Sequence, residues 1–311
     1  MGATTRGAAV LLGLVTACAD PVRGASGDDA GALDAAAAGD AGHDAGAGDR
    51  DAGRDAGLDA GSRPHLGDVD AKNRALTWAD EFDGPQIDRA VWGNEEGMVR
   101  NHERQCYTKD DKNQFIEGGE LVIRGIPEAA CGGTFTSASL TTEGHQSFQY
   151  GRLEARIRVP SAKGSWPAFW LLPADKAKYA GLPPYNSWWP AGGEIDVMEV
   201  VSQKPTTVYG TAHYLQSGAH GSSGASSLLS APVSATYHVF AIEWTTTKID
   251  WFVDDAKYHS FDTTPSFDGL HPFQDRFYLI LNYAIGGDWP EVPDAAQYPD
   301  QMRVDWVRYW K

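Results

Sequence analysis

From residue 115 to the C-terminus, short runs that alternate apolar and polar residues recur between clusters of Gly, Pro and Asp, and this period of two confines the chain to β-structure. Leu153, Ala155, Ile157 and Val159 alternate with Arg152, Glu154, Arg156 and Arg158, the pattern of an antiparallel strand with one buried face. The same reading predicts strands over 120–124, 207–214, 237–244, 249–253, 257–261, 277–284 and 302–310, with Asp254-Asp255-Ala256 connecting a hairpin. The segments 174–188 and 214–232 read as loops. No stretch sustains a helical period with caps. Many short strands joined by long Gly- and Pro-rich connections argue for an all-β sandwich or jelly roll.

The strands begin late because the N-terminal fifth of the chain cannot build a core. All 34 aromatic residues fall in 64–311, which leaves 248 residues for one folded domain. The first 63 residues carry five Arg, no Lys and ten Asp, a local charge of −5, so −11 of the chain's −16 belongs to the remainder. An acidic surface repels a polyanion, which excludes nucleic acid as a partner. No apolar stretch reaches the roughly 18 residues a membrane-spanning helix needs. Arg6, the apolar run from Ala8 to Val15 and the small residues Thr16 and Ala17 read as an export signal over 1–17. Val15-Thr16-Ala17-Cys18 resembles a bacterial lipobox with Cys18 as the lipidated residue; ordinary cleavage near Ala17 is the alternative. Over 18–63, Asp-Ala-Gly recurs at 29, 40, 44, 51, 55 and 59, which reads as a disordered, self-repelling spacer. Cys106 and Cys131 remain, and in an oxidising compartment they are expected to form a disulfide, since no Cys/His metal spacing accompanies them.

Glu194-Ile195-Asp196-Val197-Met198-Glu199 sets three carboxylates in six residues with apolar residues in the gaps. On a regular strand Glu194 and Asp196 share one face, Ile195 and Val197 take the other, and Glu199 falls on the core side, where an unpaired acid is costly. The spacing therefore predicts a β-bulge near Val197 or Met198, returning Glu199 to its neighbours' face. Glycoside hydrolysis gives such crowding a purpose. One carboxylate attacks the anomeric carbon while a protonated partner donates to the leaving oxygen, and like-charge proximity keeps one member protonated near neutral pH. Strand rise alone sets the outer Cα atoms about 13 Å apart, so the side chains must lean together to reach the ~5–5.5 Å of a retaining pair. In a chain with 13 Glu and 29 Asp, the bare pattern also reads as an acidic surface strand or a calcium patch. Its setting favours a sugar cleft: Trp188-Trp189-Pro190 precedes it and Trp166-Pro167-Ala168-Phe169-Trp170 lies upstream, and tryptophan faces stack on the C–H faces of sugar rings.

Taken with W-A-D-E-F-D-G (78–84), N-H-E-R-Q-C-Y-T (101–108), G-R-L-E-A-R (151–156), W-P-A-F-W (166–170), G-E-I-D-V-M-E (193–199), H-P-F (271–273), L-N-Y-A-I-G-G-D-W-P (281–290) and M-R-V-D-W-V-R (302–308), the chain resembles the laminarinase-type members of glycoside hydrolase family 16. The resemblance implies a β-jelly roll of two curved antiparallel sheets with an open substrate cleft. It implies retaining hydrolysis with Glu194 as nucleophile, Asp196 as its assistant and Glu199 as acid/base. The six-residue form with Met198 is similar to the laminarinase, agarase and carrageenase branch, and Trp-Pro before G-E-I-D points to β-1,3-glucan. The resemblance carries over Trp189 and Trp170 as sugar platforms, Trp166 as a platform or a core residue, and His213 as a cleft histidine beside the acids. Asn101 and Arg152 carry over as polar cleft contacts, with a surface ion pair as the other reading of Arg152. Glu103 and Gln105 fit the strand after Asn101 without an assigned role. Asp288 stands where the family often has Asn. Glu81 and Asp305 match carboxylates of a structural calcium site, with a carbonyl near Gly118 as third ligand; catalysis needs no cofactor. The expected partner is a polysaccharide, with membrane contact only through a lipid anchor, and the chain is expected to be a monomer. Export to the outer membrane or cell surface as a lipoprotein is expected, or otherwise secretion. The rival functions are hydrolysis of mixed-linkage glucan or red-algal galactan on the same fold, and non-catalytic β-glucan binding, which the presence of all three acids disfavours.

Overall fold

The computed structural model describes residues 63–311. The export signal over 1–17, Cys18 and all but the last residue of the spacer over 18–63 lie outside the described residues. Two antiparallel sheets carry the described part. The first has seven strands in the order Ala219–Leu228, Thr207–Gln216, Glu194–Glu199, Ser165–Pro173, Phe277–Ile285, Ser139–Thr141 and Gly93–Glu95. The second runs Ala256–Asp262, Lys248–Val253, His238–Trp244, Gly151–Arg158, Asp300–Trp310, Glu120–Gly125 and Gln114–Glu117, with Leu76–Asp80 also paired to the 300–310 strand. The period of two seen in the sequence fixes how they meet. Leu153, Ala155 and Ile157 join Phe240, Ile242 and Trp251 on the inner face of the second sheet, against Phe169, Leu171 and Ile195 of the first. The result is a jelly-roll sandwich around one apolar layer.

The predicted strands reappear with ends shifted by one or two residues. The hairpin connection is shorter than expected: Ala256 already pairs with Val253, leaving Asp254 and Asp255 as a two-residue turn. Both have positive φ, +48° and +61°, which short acidic side chains tolerate, and a primed turn of this kind matches the strands' twist. The segment 214–232 is not a loop. Ala219–Leu228 is an edge strand in register with Thr207–Gln216 from Ala219 opposite Gln216 to Leu228 opposite Thr207. Its sequence, AHGSSGASSL, has no apolar alternation because neither face is fully buried, so hydrophobic periodicity leaves it invisible. A parallel pair, Gln105–Tyr107 with Phe135–Ser137, forms a third small sheet. Cys106 on it is bridged to Cys131, with Cα atoms 5.8 Å apart.

Candidate active site

Alternation in the seven-stranded sheet sorts its side chains into a core face and a groove face. Phe169, Leu171, Leu281 and Tyr283 enter the core, while Trp166, Ala168, Trp170, Asn282 and Ala284 line the groove. The 194–199 strand breaks this rule once. Asp196 lies opposite Trp170 while Met198 lies opposite Phe169, and on the other side Asp196 and Glu199 lie opposite Thr211 and Tyr209. Each neighbour therefore gives up one residue less than this strand spends, which is the predicted bulge. Val197 and Met198 both enter the core, and Glu199 joins Glu194 and Asp196 in the groove wall. The backbone left out of the ladder finds a partner across the sandwich: the Trp251 indole nitrogen donates to the Asp196 carbonyl at 2.8 Å. Gly210, opposite the bulge, makes room for this, because a Cβ there would lie 2.5 Å from Trp251 Cδ1 and 2.3 Å from the Tyr258 hydroxyl.

All three carboxyls are nearly sealed from water, with 2 %, 2 % and 5 % of Glu194, Asp196 and Glu199 exposed. Burial is the main cause that pushes each of them up to about 8, and mutual repulsion adds to it for Glu194 and Glu199. Such a cluster titrates as a unit and holds fewer negative charges than carboxyls at neutral pH. Indole donors hold the outer two: Trp189 Nε1 donates to Glu194 Oε2 at 2.8 Å and Trp166 Nε1 to Glu199 Oε1 at 2.9 Å. Both favour the charged form of their acid. His213 Nε2 comes within 3.1 Å of Asp196 Oδ2, obliquely enough that this oxygen has no well-formed hydrogen bond. His213 Nδ1 lies 2.8 Å from His220 Nε2.

On the adjacent strand, Trp170 is fixed by its indole N–H, which donates to Asn282 Oδ1 at 2.7 Å, and the Arg100 guanidinium lies 4.9 Å from its ring centroid. Asn101 donates to Glu103 at 3.3 Å, and Glu103 also accepts from Gln105 and from the Tyr107 hydroxyl. Tyr107 in turn accepts from Asn282. Glu103 thus anchors a buried chain that ends on Trp170, and burial pushes its carboxyl up to about 7. Arg100 Nη1 and Asn101 Oδ1 are buried at this wall without a hydrogen-bond partner.

Several expectations are corrected. Of the two readings of Trp166, packing is the one seen: it is buried in a small apolar cluster with Val201 and Ala284, edge-on to Trp289, and its indole also serves Glu199. Arg152 does not reach the groove. It sits on the second sheet, pairs with Glu154 at 2.8 Å and Asp255 at 2.7 Å, and lies over Phe252, in an ion pair that is buried where a surface one was the other reading. The guanidinium at the groove is Arg100, which the sequence reading missed because it precedes the motif. Glu81 and Asp305, the expected calcium carboxylates, each meet an arginine. Arg308 takes both oxygens of Glu81, at 2.8 and 3.1 Å, and Arg156 pairs with Asp305 at 2.7 Å. Among the described residues, the one group with metal-ligand potential is Glu194, Asp196 and His213, whose donor atoms lie within 4.8 Å of one another. Asp288 pairs with the exposed His102. His220 and Trp251 also escaped the sequence reading, the first on a strand without periodicity, the second on the opposite sheet.

Known proteins share this architecture. A β-glucanase of Rhodothermus marinus is 40% identical over 253 residues, covering 76% of this chain and 85% of the relative. A glucan endo-1,3-beta-glucosidase of Cryptopygus antarcticus is 35% identical over 76% of this chain and 91% of its own length. The crystal structure of the laminarinase from Rhodothermus marinus superposes with a TM-score of 0.66 at 38% identity, covering 76% of this chain and 96% of that one. The family model of the glycosyl hydrolases family 16 matches residues 90–308, most of the described chain, and this protein, a glycoside hydrolase, belongs to that family.

Proposed function

We propose that the chain hydrolyses internal bonds of a β-1,3-glucan of the laminarin type, with retention of anomeric configuration. One observation carries the reading: the bulge at Val197 gathers Glu194, Asp196 and Glu199 on one groove wall, each outer acid held by its own indole donor. Glu194, as carboxylate, attacks the anomeric carbon; Glu199, as acid, gives its proton to the departing glycosidic oxygen. Water then hydrolyses the ester, with Glu199 taking the water proton. Asp196 holds the shared proton toward Glu194, which keeps repulsion from three full charges out of the site. Trp170, with Arg100 over its ring, lines the groove beside the acids together with Asn101 and Trp166, an aromatic and polar lining suited to a sugar chain. Two relatives named as glucan endo-1,3-beta-glucosidases, at 32% and 35% identity, support β-1,3-glucan, against one at 30% named as a galactosidase.

The test incubates the full chain and its Glu194→Ser variant with laminarin, lichenan, agarose and carrageenan, assays reducing ends, and follows the first anomer released by proton NMR. Wild type is expected to release β-anomeric ends from laminarin, and Glu194→Ser at least about 1,000-fold fewer. Release from galactans alone would move the substrate, and binding without release would support a glucan-binding protein. The chain is further proposed to be an exported monomer anchored by a lipid on Cys18. Labelling with a radioactive fatty acid that survives Cys18→Ser would rule that anchor out.

A further inference from the structure

The contacts of His213 continue beyond the acids. Its ring stacks on His220 at 27° with centroids 5.0 Å apart, and Nδ1 faces His220 Nε2 at 2.8 Å. His213 is buried, whereas His220 is half-buried on the edge strand Ala219–Leu228. Two groups of the preceding loop hold His220: its backbone N–H donates to the Tyr185 hydroxyl at 2.8 Å, and its ring lies 4.8 Å from Trp189, the donor to Glu194. A single proton must sit between Nδ1 and Nε2 of the neutral pair, so the tautomer of one imidazole dictates that of the other. We propose that His213 and His220 form a two-imidazole relay that carries the Asp196 proton to and from the groove edge, with His220 a positioning residue acting through His213. The proposal rests on the retaining reading above and deepens it.

The proton balance is closed. While Glu194 is a carboxylate, Asp196 keeps a proton toward it. Once Glu194 becomes an ester its charge is gone; the Asp196 carboxyl turns its proton from Glu194 toward His213 Nε2 and passes it across, while His213 Nδ1–H passes one to His220 Nε2. His213 ends neutral in the other tautomer and His220 ends as imidazolium; hydrolysis of the ester reverses both transfers. The oblique approach of His213 to Asp196 must straighten in the cycle, as hydrogen bonds of substrate-free sites commonly do. Among the ionisable groups that bear on the pair are Glu194, Asp196 and Glu199 from the bulged strand and Tyr185 from the loop, with Arg100 acting on Glu194.

The experiment measures kcat and KM on laminarin from pH 4 to 9 for wild type, His220→Ala and His220→Gln, with circular dichroism and thermal midpoints as fold controls. His220→Ala is expected to lower kcat about tenfold or more with KM within twofold. Without its partner His213 draws less on the Asp196 proton, so the acid limb of the profile moves up by about half a pH unit. His220→Gln, which keeps one hydrogen bond but does not titrate, is expected to stay slow. An unchanged rate and profile in His220→Ala, an effect on KM alone, or a wild-type rate and profile in His220→Gln would overturn the relay. If His220→Ala fails to fold, the similarly sized His220→Gln decides the matter alone. Glu194→Ser separates the two readings: wild-type activity in that variant sinks the retaining mechanism itself, whatever His220 does.

Discussion

Trp189 and Trp166 make the same bond to opposite ends of the reaction. Each donates an indole N–H to a buried carboxyl and so favours its charged form, but in the proposed mechanism Glu194 must be charged to attack whereas Glu199 must be protonated to donate. Replacing either with Phe removes the donor, keeps most of the volume and raises the acid's pKa. For Trp189→Phe the nucleophile then ionises later, and the acid limb of kcat/KM is expected to move up by about one pH unit. For Trp166→Phe the acid stays protonated longer, and the alkaline limb is expected to move up by a similar amount. A full profile of both variants checks the prediction; movement of the same limb in both would refute the division of roles. The residue scale is also where sequence reading erred. Arg152 was legible as a residue type suited to a sugar cleft, but which sheet carries it, like where the Trp166 indole nitrogen points, depends on neighbours far away in the chain.

The bulged strand holds its shape through two others. Asp196 cannot offer its carbonyl to a regular ladder, and Trp251, on a strand of the opposite sheet, reaches it only because Gly210 has no side chain. Gly210→Ala is expected to destabilise the fold by about 1–3 kcal/mol through overpacking against Trp251 and Tyr258, and to lower kcat as the bulge shifts. Denaturant unfolding and steady-state kinetics measure the two effects; a variant as stable and as active as wild type would show that Trp251 is not the brace. The bulge itself was legible, because three acids at this spacing cannot share a face without an extra residue. The brace was not, since nothing local couples residue 251 to residue 196. The Ala219–Leu228 strand was hidden for another reason: an edge strand lined by small polar residues carries no hydrophobic signal.

The whole molecule bears a cost for its site. Glu194, Asp196 and Glu199 have folded-state values of about 8, above the 3.8 to 4.5 of the unfolded chain, so the folded state binds more protons between these limits. Stability contributed this way is complete below about pH 4 and is lost as pH rises through 8. The thermal midpoint is therefore expected to fall between pH 5 and 9, and to fall less in Glu199→Gln, which has no charge to bury. Midpoints at pH 5, 7 and 9 test this; identical slopes in the two proteins would refute it. The Cys106–Cys131 bridge works in the opposite sense. It closes a loop of 25 residues under the strand that bears Gln105 and Tyr107. Replacing both cysteines with Ser is expected to cost about 3 kcal/mol in the chain-entropy account, or roughly 6–12 °C in midpoint for a domain of this size. Calorimetry of the double variant checks it, and an unchanged midpoint would show that the loop is held by packing instead.

The amino-acid sequence determined the all-β sandwich, most strand positions, the kink among the acids and the pairing of the two cysteines, because periodicity, spacing and composition act over a few residues at a time. It could not determine that Arg152 belongs to the second sheet, that Arg308 and Arg156 pair with Glu81 and Asp305, or that His220 stands behind His213. Those outcomes depend on which distant strands lie side by side, and that order is settled only when the two sheets close over a common core.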